Sequence, residues 1–178
     1  DKKLREDTQF ELTKLREQLG TTFVIVTHDQ EEAMTVADRI AVMNSGKVMQ
    51  VATPSEIYEV PNSRWVADFI GDVNLLEGTV EAVETASIVV ANSGQHLRFG
   101  ARPGARSGTK VWIALRPEKL SIAAVAPDVS ENVIGGVVND IAYRGNTLLY
   151  RVQSTFGADM KVSVTNTQRV TDPPIGKG

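Results

Sequence analysis

The chain has 178 residues, 42% apolar and 23% charged, with a formal net charge of −3, a composition ordinary for a globular protein. Zero Cys excludes a disulfide framework and thiolate metal sites, and is compatible with a reducing compartment. Residues 1–72 carry eight Lys/Arg against thirteen Asp/Glu and residues 73–178 eleven against nine, so no cation cluster suits a phosphate backbone, and nucleic acid is not expected as a partner.

The opening Asp1-Lys2-Lys3-Leu4-Arg5-Glu6-Asp7 is charged, without the apolar h-region of a secretory signal. From Lys2 to Leu19, the residues Leu4, Leu12, Leu15 and Leu19 share one helical face, and Gly20 stands where the helix stops. Thr21-Thr22-Phe23-Val24-Ile25-Val26-Thr27 is a continuous β-branched and aromatic run without polar alternation, the pattern of a strand covered on both faces in a parallel sheet. Asp29-Gln30-Glu31-Glu32 then opens a helix running to about Asp38, with capping-box spacing between Asp29 and Glu32. Ile40–Met43 and Lys47–Ala52 read as a hairpin across Asn44-Ser45-Gly46. Thr53-Pro54-Ser55-Glu56 starts a further helix, and Asn62 is the expected cap of another, whose stripe of Trp65, Val66, Phe69 and Ile70 is closed by Gly71.

After Gly71 the period changes to short β runs: Asn74–Glu84, Ser87–Ala91, Leu97–Phe99, Lys110–Leu115, Val133–Ala142, Thr147–Gln153 and Asp159–Val164. Turns are expected at Asn92-Ser93-Gly94, Pro103-Gly104, Arg144-Gly145-Asn146 and Phe156-Gly157, and a loop or linker at Ala123–Ser130. This spacing predicts a small barrel or sandwich beginning near Gly71–Val73. No uncharged apolar run approaches the ~18–20 residues of a membrane span.

The one chemically suggestive constellation is Thr27-His28-Asp29-Gln30-Glu31-Glu32. Ligands of open α/β sheets sit beyond the carboxyl ends of strands, and a helix N-terminus there favours anions. His28 occupies that edge, where its imidazole can meet a phosphate oxygen; the competing reading is a capped helix with an incidental polar His. A metal site of His28, Asp29, Glu31 and Glu32 lacks the two-His helical spacing of zinc proteases, and no G-x-S-x-G elbow presents a nucleophile to His28. His96 reads as a surface residue, and Trp65, Phe69 and Trp112 as core. No G-x-x-x-x-G-K-[ST] loop or G-x-G-x-x-G occurs, so the rest of any phosphate cradle lies elsewhere.

Thr22 to Met34, with His28 at its centre, resembles the switch-histidine segment of ABC transporter ATPases. The continuation Ala37-Asp38-Arg39-Ile40-Ala41-Val42-Met43, then Gly46-Lys47, Gln50 and Pro54-Ser55-Glu56-Ile57-Tyr58, is similar to importer ATPases. Phe69-Ile70-Gly71 followed by a β-rich tail resembles the TOBE-containing importers of polyamines, sugars or oxyanions. Arg116-Pro117-Glu118 and Tyr143-Arg144-Gly145 are the recognisable TOBE features, and Asn74-Leu75-Leu76-Glu77-Gly78 leans towards the spermidine/putrescine branch.

The resemblance implies an α/β fragment, an incomplete P-loop NTPase-type ABC domain over residues 1–72, followed by an all-β OB-like TOBE barrel over 73–178. It implies a catalytic role for His28 as the γ-phosphate contact, and for Asp1 the last position of the D-loop, which communicates across an ATPase homodimer. ATP and Mg would serve the intact protein, with no resident metal site in this chain. The implied partners are transmembrane permease subunits and, indirectly, a periplasmic or extracellular solute-binding protein, at the cytoplasmic face of the inner or plasma membrane. The phosphate loop, Q-loop, signature motif and Mg-binding carboxylates would precede Asp1, and Pro173-Pro174-Ile175-Gly176-Lys177-Gly178 resembles the lead into a missing final TOBE strand. The fragment alone is accordingly expected to be inactive as an ATPase and to self-associate through its uncovered strand. A free-standing barrel binding a small ligand or oxyanion is the alternative, and a metal hydrolase built on His28 a third.

Overall fold

The computed structural model describes residues 2–85, 87–92, 94–100, 104–128, 131–167 and 175–176, so that Asp1, Ser93, Pro103, Ser130, Pro173-Pro174 and Lys177-Gly178 lie outside the described residues. Contacts between residues divide the chain into two units, Asp1–Gly71 and Asp72–Gly178. Among the described residues no helix is long and apolar enough to cross a membrane.

In the first unit, helix α1 (Lys2–Leu19) ends at Gly20, whose φ of +58° supplies the left-handed turn a helix end favours. Its expected apolar face does not bury: Leu12, Leu15 and Leu19 are exposed, while Gln9 is the buried residue. The expected strand at Thr21–Thr27 is also absent. The segment has no regular secondary structure, with Val24 89% and Val26 94% exposed. A doubly covered strand needs neighbours for its ladder and helices for both faces. None of the strands among the described residues pairs with it. The leucine face of α1 lacks a sheet to cover for the same reason.

Downstream, local signals suffice. Helix α2 (Gln30–Val36) starts at the cap Asp29 and stops two residues short of Asp38. Strands β1 (Ile40–Asn44) and β2 (Lys47–Ala52) form an antiparallel hairpin whose turn residues Ser45 and Gly46 both have positive φ, +48° and +75°, matching strand twist. Helix α3 (Pro54–Glu59) carries a complete capping box between Thr53 and Glu56. The hydrogen bonds from Thr53, chiefly its backbone N–H, hold the Glu56 carboxyl below its ordinary pKa.

Helix α4 (Arg64–Phe69) is capped by Ser63 rather than Asn62. The Asn62 carboxamide instead donates to the Met49 carbonyl at 2.7 Å, while the Asn62 N–H donates to Gln50 Oε1 at 2.8 Å. Val42, Ile57, Val66 and Ile70 make the core of this unit, with Trp65 and Phe69 stacked at 5.0 Å.

The second unit is antiparallel throughout. Strands β3 (Asn74–Val83), β4 (Ser87–Asn92), β5 (Gln95–Gly100) and β6 (Lys110–Leu115) form one sheet in the order β5-β4-β3-β6. Strands β7 (Gly136–Tyr143), β8 (Thr147–Ser154) and β9 (Asp159–Thr165) form a second, β7-β8-β9. The seven expected β runs are therefore strands, and among the described residues they form two sheets, within the expected choice of a small barrel or sandwich. Alternation buries Leu76, Val80, Ile88, Val90, Leu97 and Ile113 in the first sheet, and Val138, Leu148, Tyr150 and Val162 in the second. Gly136 starts β7 where a Cβ would stand 2.6 Å from Val152 Cγ1 and 2.8 Å from the Gln153 carbonyl oxygen. Trp112 and Phe69 are exposed, contrary to their expected place in the core, whereas Trp65 packs against the first unit's core.

Ile57 is fully buried at the centre of the first unit's core. Its truncation, Ile57→Ala, is expected to cost about 2–5 kcal/mol of that unit's stability, read as a lowered urea midpoint, because the cavity cannot fully collapse.

Candidate functional site

His28 lies between the unpaired segment 21–27 and α2, and its side chain is exposed. The backbone on either side is fixed by short-range bonds. The Asp29 N–H donates to Thr27 Oγ1 at 3.0 Å, and Asp29 Oδ1 accepts from the Glu32 N–H at 3.1 Å. The Asp29-to-Glu32 spacing thus does act as a cap. His28 is presented at this corner as an accessible imidazole with donor and acceptor positions. Among the described residues no group of three or more His, Cys, Asp or Glu comes together as a metal would require, so His28, Asp29, Glu31 and Glu32 are not brought into a ligand set. Asp1 lies outside the described residues.

Two side chains that position this corner escaped the sequence reading. The Gln30 amide donates to the Phe69 carbonyl at 2.5 Å and its Oε1 accepts from the Gly71 N–H at 3.1 Å, tying the start of α2 to the end of α4. Arg16 donates to the Val36 carbonyl at 3.2 Å and to Asp38 at 2.9 Å, tying α1 to the other end of α2. Gln30 lies in the suggestive run Thr27–Glu32, but the partners of both residues are 20 or more positions away, so pattern alone could not show these contacts.

In the second unit, Arg116 is only 6% exposed and donates to the Asp72 carbonyl at 3.1 Å, immediately before a 3-10 turn at Pro117–Lys119. Asp72 accepts from Lys161 Nζ at 2.6 Å. That hydrogen bond, with the charges of Lys161 and Arg144, holds the Asp72 carboxyl below its ordinary pKa against a smaller opposing effect of desolvation. Asn74 makes a reciprocal pair with the Lys161 backbone, Nδ2 to the carbonyl at 2.8 Å and the N–H to Oδ1 at 2.7 Å. Around Tyr143-Arg144-Gly145, Asn166 Nδ2 reaches both Tyr143 Oη at 3.1 Å and the Gly145 carbonyl at 3.0 Å, and Gly145 takes a φ of +82°. His96 is exposed and lies 2.9 Å from Glu81 Oε2. Arg116, Asp72 and Lys161 therefore belong to one polar cluster, in which Arg116 is buried and the Asp72–Lys161 pair stands at the surface.

With this geometry in hand, comparison with known proteins is specific. Residues 113–178 match the TOBE domain family, beginning inside β6 and taking in the whole β7-β8-β9 sheet. The chain is 43% identical over 176 residues to the spermidine/putrescine import ATP-binding protein PotA of Trichodesmium erythraeum, covering 95% of this chain and 46% of that protein. It is 46% identical over 163 residues to PotA of Rubrobacter xylanophilus, covering 88% and 41%, respectively. It is also 40% identical over 171 residues to the putrescine transport ATP-binding protein PotG of Escherichia coli, covering 95% and 45%. The chain thus spans less than half the length of these curated relatives.

Two predictions come from the second unit's polar cluster. Asn74→Ala leaves a part-buried N–H and C=O of Lys161 without partners and is expected to cost about 1–3 kcal/mol per stranded group, measured by urea denaturation. Because the Asp72 carboxyl is more acidic folded than unfolded, its contribution is present above the unfolded pKa of about 3.8 and disappears as pH falls through the folded value. Asp72→Asn should therefore be slightly less stable than wild type near neutrality, by under about 1 kcal/mol for so exposed a pair, with the gap closing below about pH 4. A gap that widens on acidification contradicts this.

Residues 113–178 carry a TOBE domain, and along nearly its whole length the chain is similar to the ATP-binding subunits of polyamine importers.

Proposed function

We propose that the chain is the C-terminal part of an ABC importer ATP-binding subunit that energises polyamine uptake. Residues 1–72 would complete an ATPase domain and 73–178 would form its TOBE regulatory domain. The observation that carries this reading is the extended similarity to spermidine/putrescine import ATP-binding proteins, running through the His28 segment as well as the β-rich half.

His28 is the residue assigned to the γ-phosphate of ATP, and Asp1 to the D-loop position facing the second ATPase subunit of a homodimer. ATP with Mg supplies the phosphoryl group whose transfer drives transport; such transfer is catalysed mostly by positioning and charge stabilisation. An exposed imidazole on a backbone held between Thr27 and a capped Asp29 suits one such contact. It is only one, because no G-x-x-x-x-G-K-[ST] loop stands in the chain. The phosphate cradle and the Mg-binding carboxylates would come from the part of the longer relatives that this chain does not match. The same part would cover the exposed segment 21–27 and the leucine face of α1, and this chain alone is expected not to hydrolyse ATP. The remaining partners are the permease subunits and, through them, an external solute-binding protein, which places the assembly peripherally on the cytoplasmic face of the membrane.

The alternative, a free-standing oxyanion- or small-ligand-binding barrel, is less well supported. Arg116 is buried on the Asp72 carbonyl and the Lys161 ammonium is taken by the Asp72 carboxylate, rather than either being left open to an anion.

The test is His28→Ala in the full-length subunit assembled with its permease. Losing a contact made to the transferring phosphoryl group should lower ATP turnover on the order of 10²-fold or more, with little change in nucleotide affinity. Unchanged turnover removes His28 from the reaction.

A further inference from the structure

Strand β5 ends its sheet, so the side facing away from β4 presents backbone groups that a further strand could take. Pairing with β4 runs Phe99 to Ile88, Arg98 to Val89 and Leu97 to Val90. Alternate residues of an edge strand turn their N–H and C=O outward, which on β5 makes the set His96, Arg98 and Gly100. The middle one is closed. The Arg98 N–H donates to Asn132 Oδ1 at 2.8 Å, and Asn132 Nδ2 donates to the Arg98 carbonyl at 2.9 Å. One carboxamide thus makes both hydrogen bonds that a neighbouring strand would make there.

Two further observations show that this contact is held in place. Asn132 has a φ of +56°, a left-handed backbone that Asn tolerates far better than most residues. Its neighbour Glu131 grips the same target from the other side, Oε1 accepting from Arg98 Nε at 3.1 Å, while Glu84 holds the Arg98 guanidinium as well. These two carboxylates hold the guanidinium above its already high ordinary pKa. Asn74 makes the equivalent reciprocal contact on β9, the outer strand of the second sheet.

We infer that Asn132 is an edge guard: its carboxamide occupies the outward backbone groups of Arg98 and prevents β5 from pairing with β5 of a second copy of this chain. A second copy is the occupant to expect, because like edges related by a two-fold axis satisfy one another and close after a single contact. Glu131 is a positioning residue that keeps the strap against the strand.

Amide hydrogen exchange of the full chain, followed across protein concentration, tests this. Asn132→Gly keeps the left-handed backbone and deletes the carboxamide. At low concentration the Arg98 amide should exchange roughly fivefold faster or more than in wild type. As concentration rises, protection should return at His96, Arg98 and Gly100 in the variant, with no such dependence in wild type. Because the readout is local to β5, association through residues 21–27 does not confuse it, and unchanged protection in β3 and β4 verifies folding. Asn132→Asp retains the acceptor and should fall between the two. Unchanged Arg98 exchange in Asn132→Gly, or faster exchange that concentration never reverses, overturns the inference. So does Glu131→Gln behaving like Asn132→Gly, because the ion pair rather than the carboxamide would then close the edge.

Discussion

The carboxamide of Asn74 does for β9 what a neighbouring strand would do, and the second unit depends on it. Among the described residues its two sheets share no strand. They meet through apolar packing, with Ile134, Phe156 and Ala158 against the core of the first sheet, and through a buried side chain on the first residue of β3 that satisfies the Lys161 N–H and C=O of β9. Asp72, two residues earlier, takes the Lys161 ammonium through its carboxylate and the Arg116 guanidinium through its carbonyl. The segment 72–74 and the end of β6 therefore hold β9 between them. A buried cation such as Arg116 is tolerable only with partners of this kind, because desolvation of an unpaired charge is strongly unfavourable.

The first unit obeys the opposite constraint. Its core of Val42, Ile57, Val66 and Ile70 closes over a short stretch of chain and is assembled by turns and caps that the residues themselves encode. Residues 21–27 and the leucines of α1 have no such local solution. An apolar run describes the environment a segment requires, and this chain does not supply it: Val24 and Val26 stand almost wholly in water. Isolated extended chain gains nothing from β-branched side chains unless neighbours cover them. The relatives, more than twice as long, have chain enough to do so.

Legibility in the sequence follows the range of the interaction. The Thr53 capping box, the Ser45-Gly46 turn, the glycine stop at Gly20 and the seven β runs after Gly71 were readable, because each depends on residues within a few positions. Asn62 was misassigned as a cap because Ser63, next to it, has equal chemistry, and only the backbone angles at Ser63 decide between them. The grouping of strands into two sheets was not readable, because alternation fixes which side chains point inward but not which strands pair. The contacts of Gln30, Asn74 and Asn132 were not readable for a related reason. Their partners lie 39, 87 and 34 residues away, and a carboxamide that completes a distant backbone pair looks in sequence like any polar surface residue.

The corner that presents His28 belongs to the readable class, and this has a consequence for how a composite pocket can be built. Thr27 and Asp29 fix the backbone on both sides of the imidazole with bonds spanning two and three residues, and Gln30 anchors the same corner to the Phe69 carbonyl and the Gly71 N–H. None of these requires residues 21–26 to be in a sheet. The backbone that carries His28 is therefore held next to α2 and α4 although residues 21–27 are in no sheet. A site assembled from distant segments loses less entropy when each contributing piece is ordered beforehand, because positioning that is complete before the phosphate arrives need not be established at its expense. Under the function proposed above, the local bonds around His28 are what would let one short, exposed corner serve a pocket whose other walls come from the rest of the subunit.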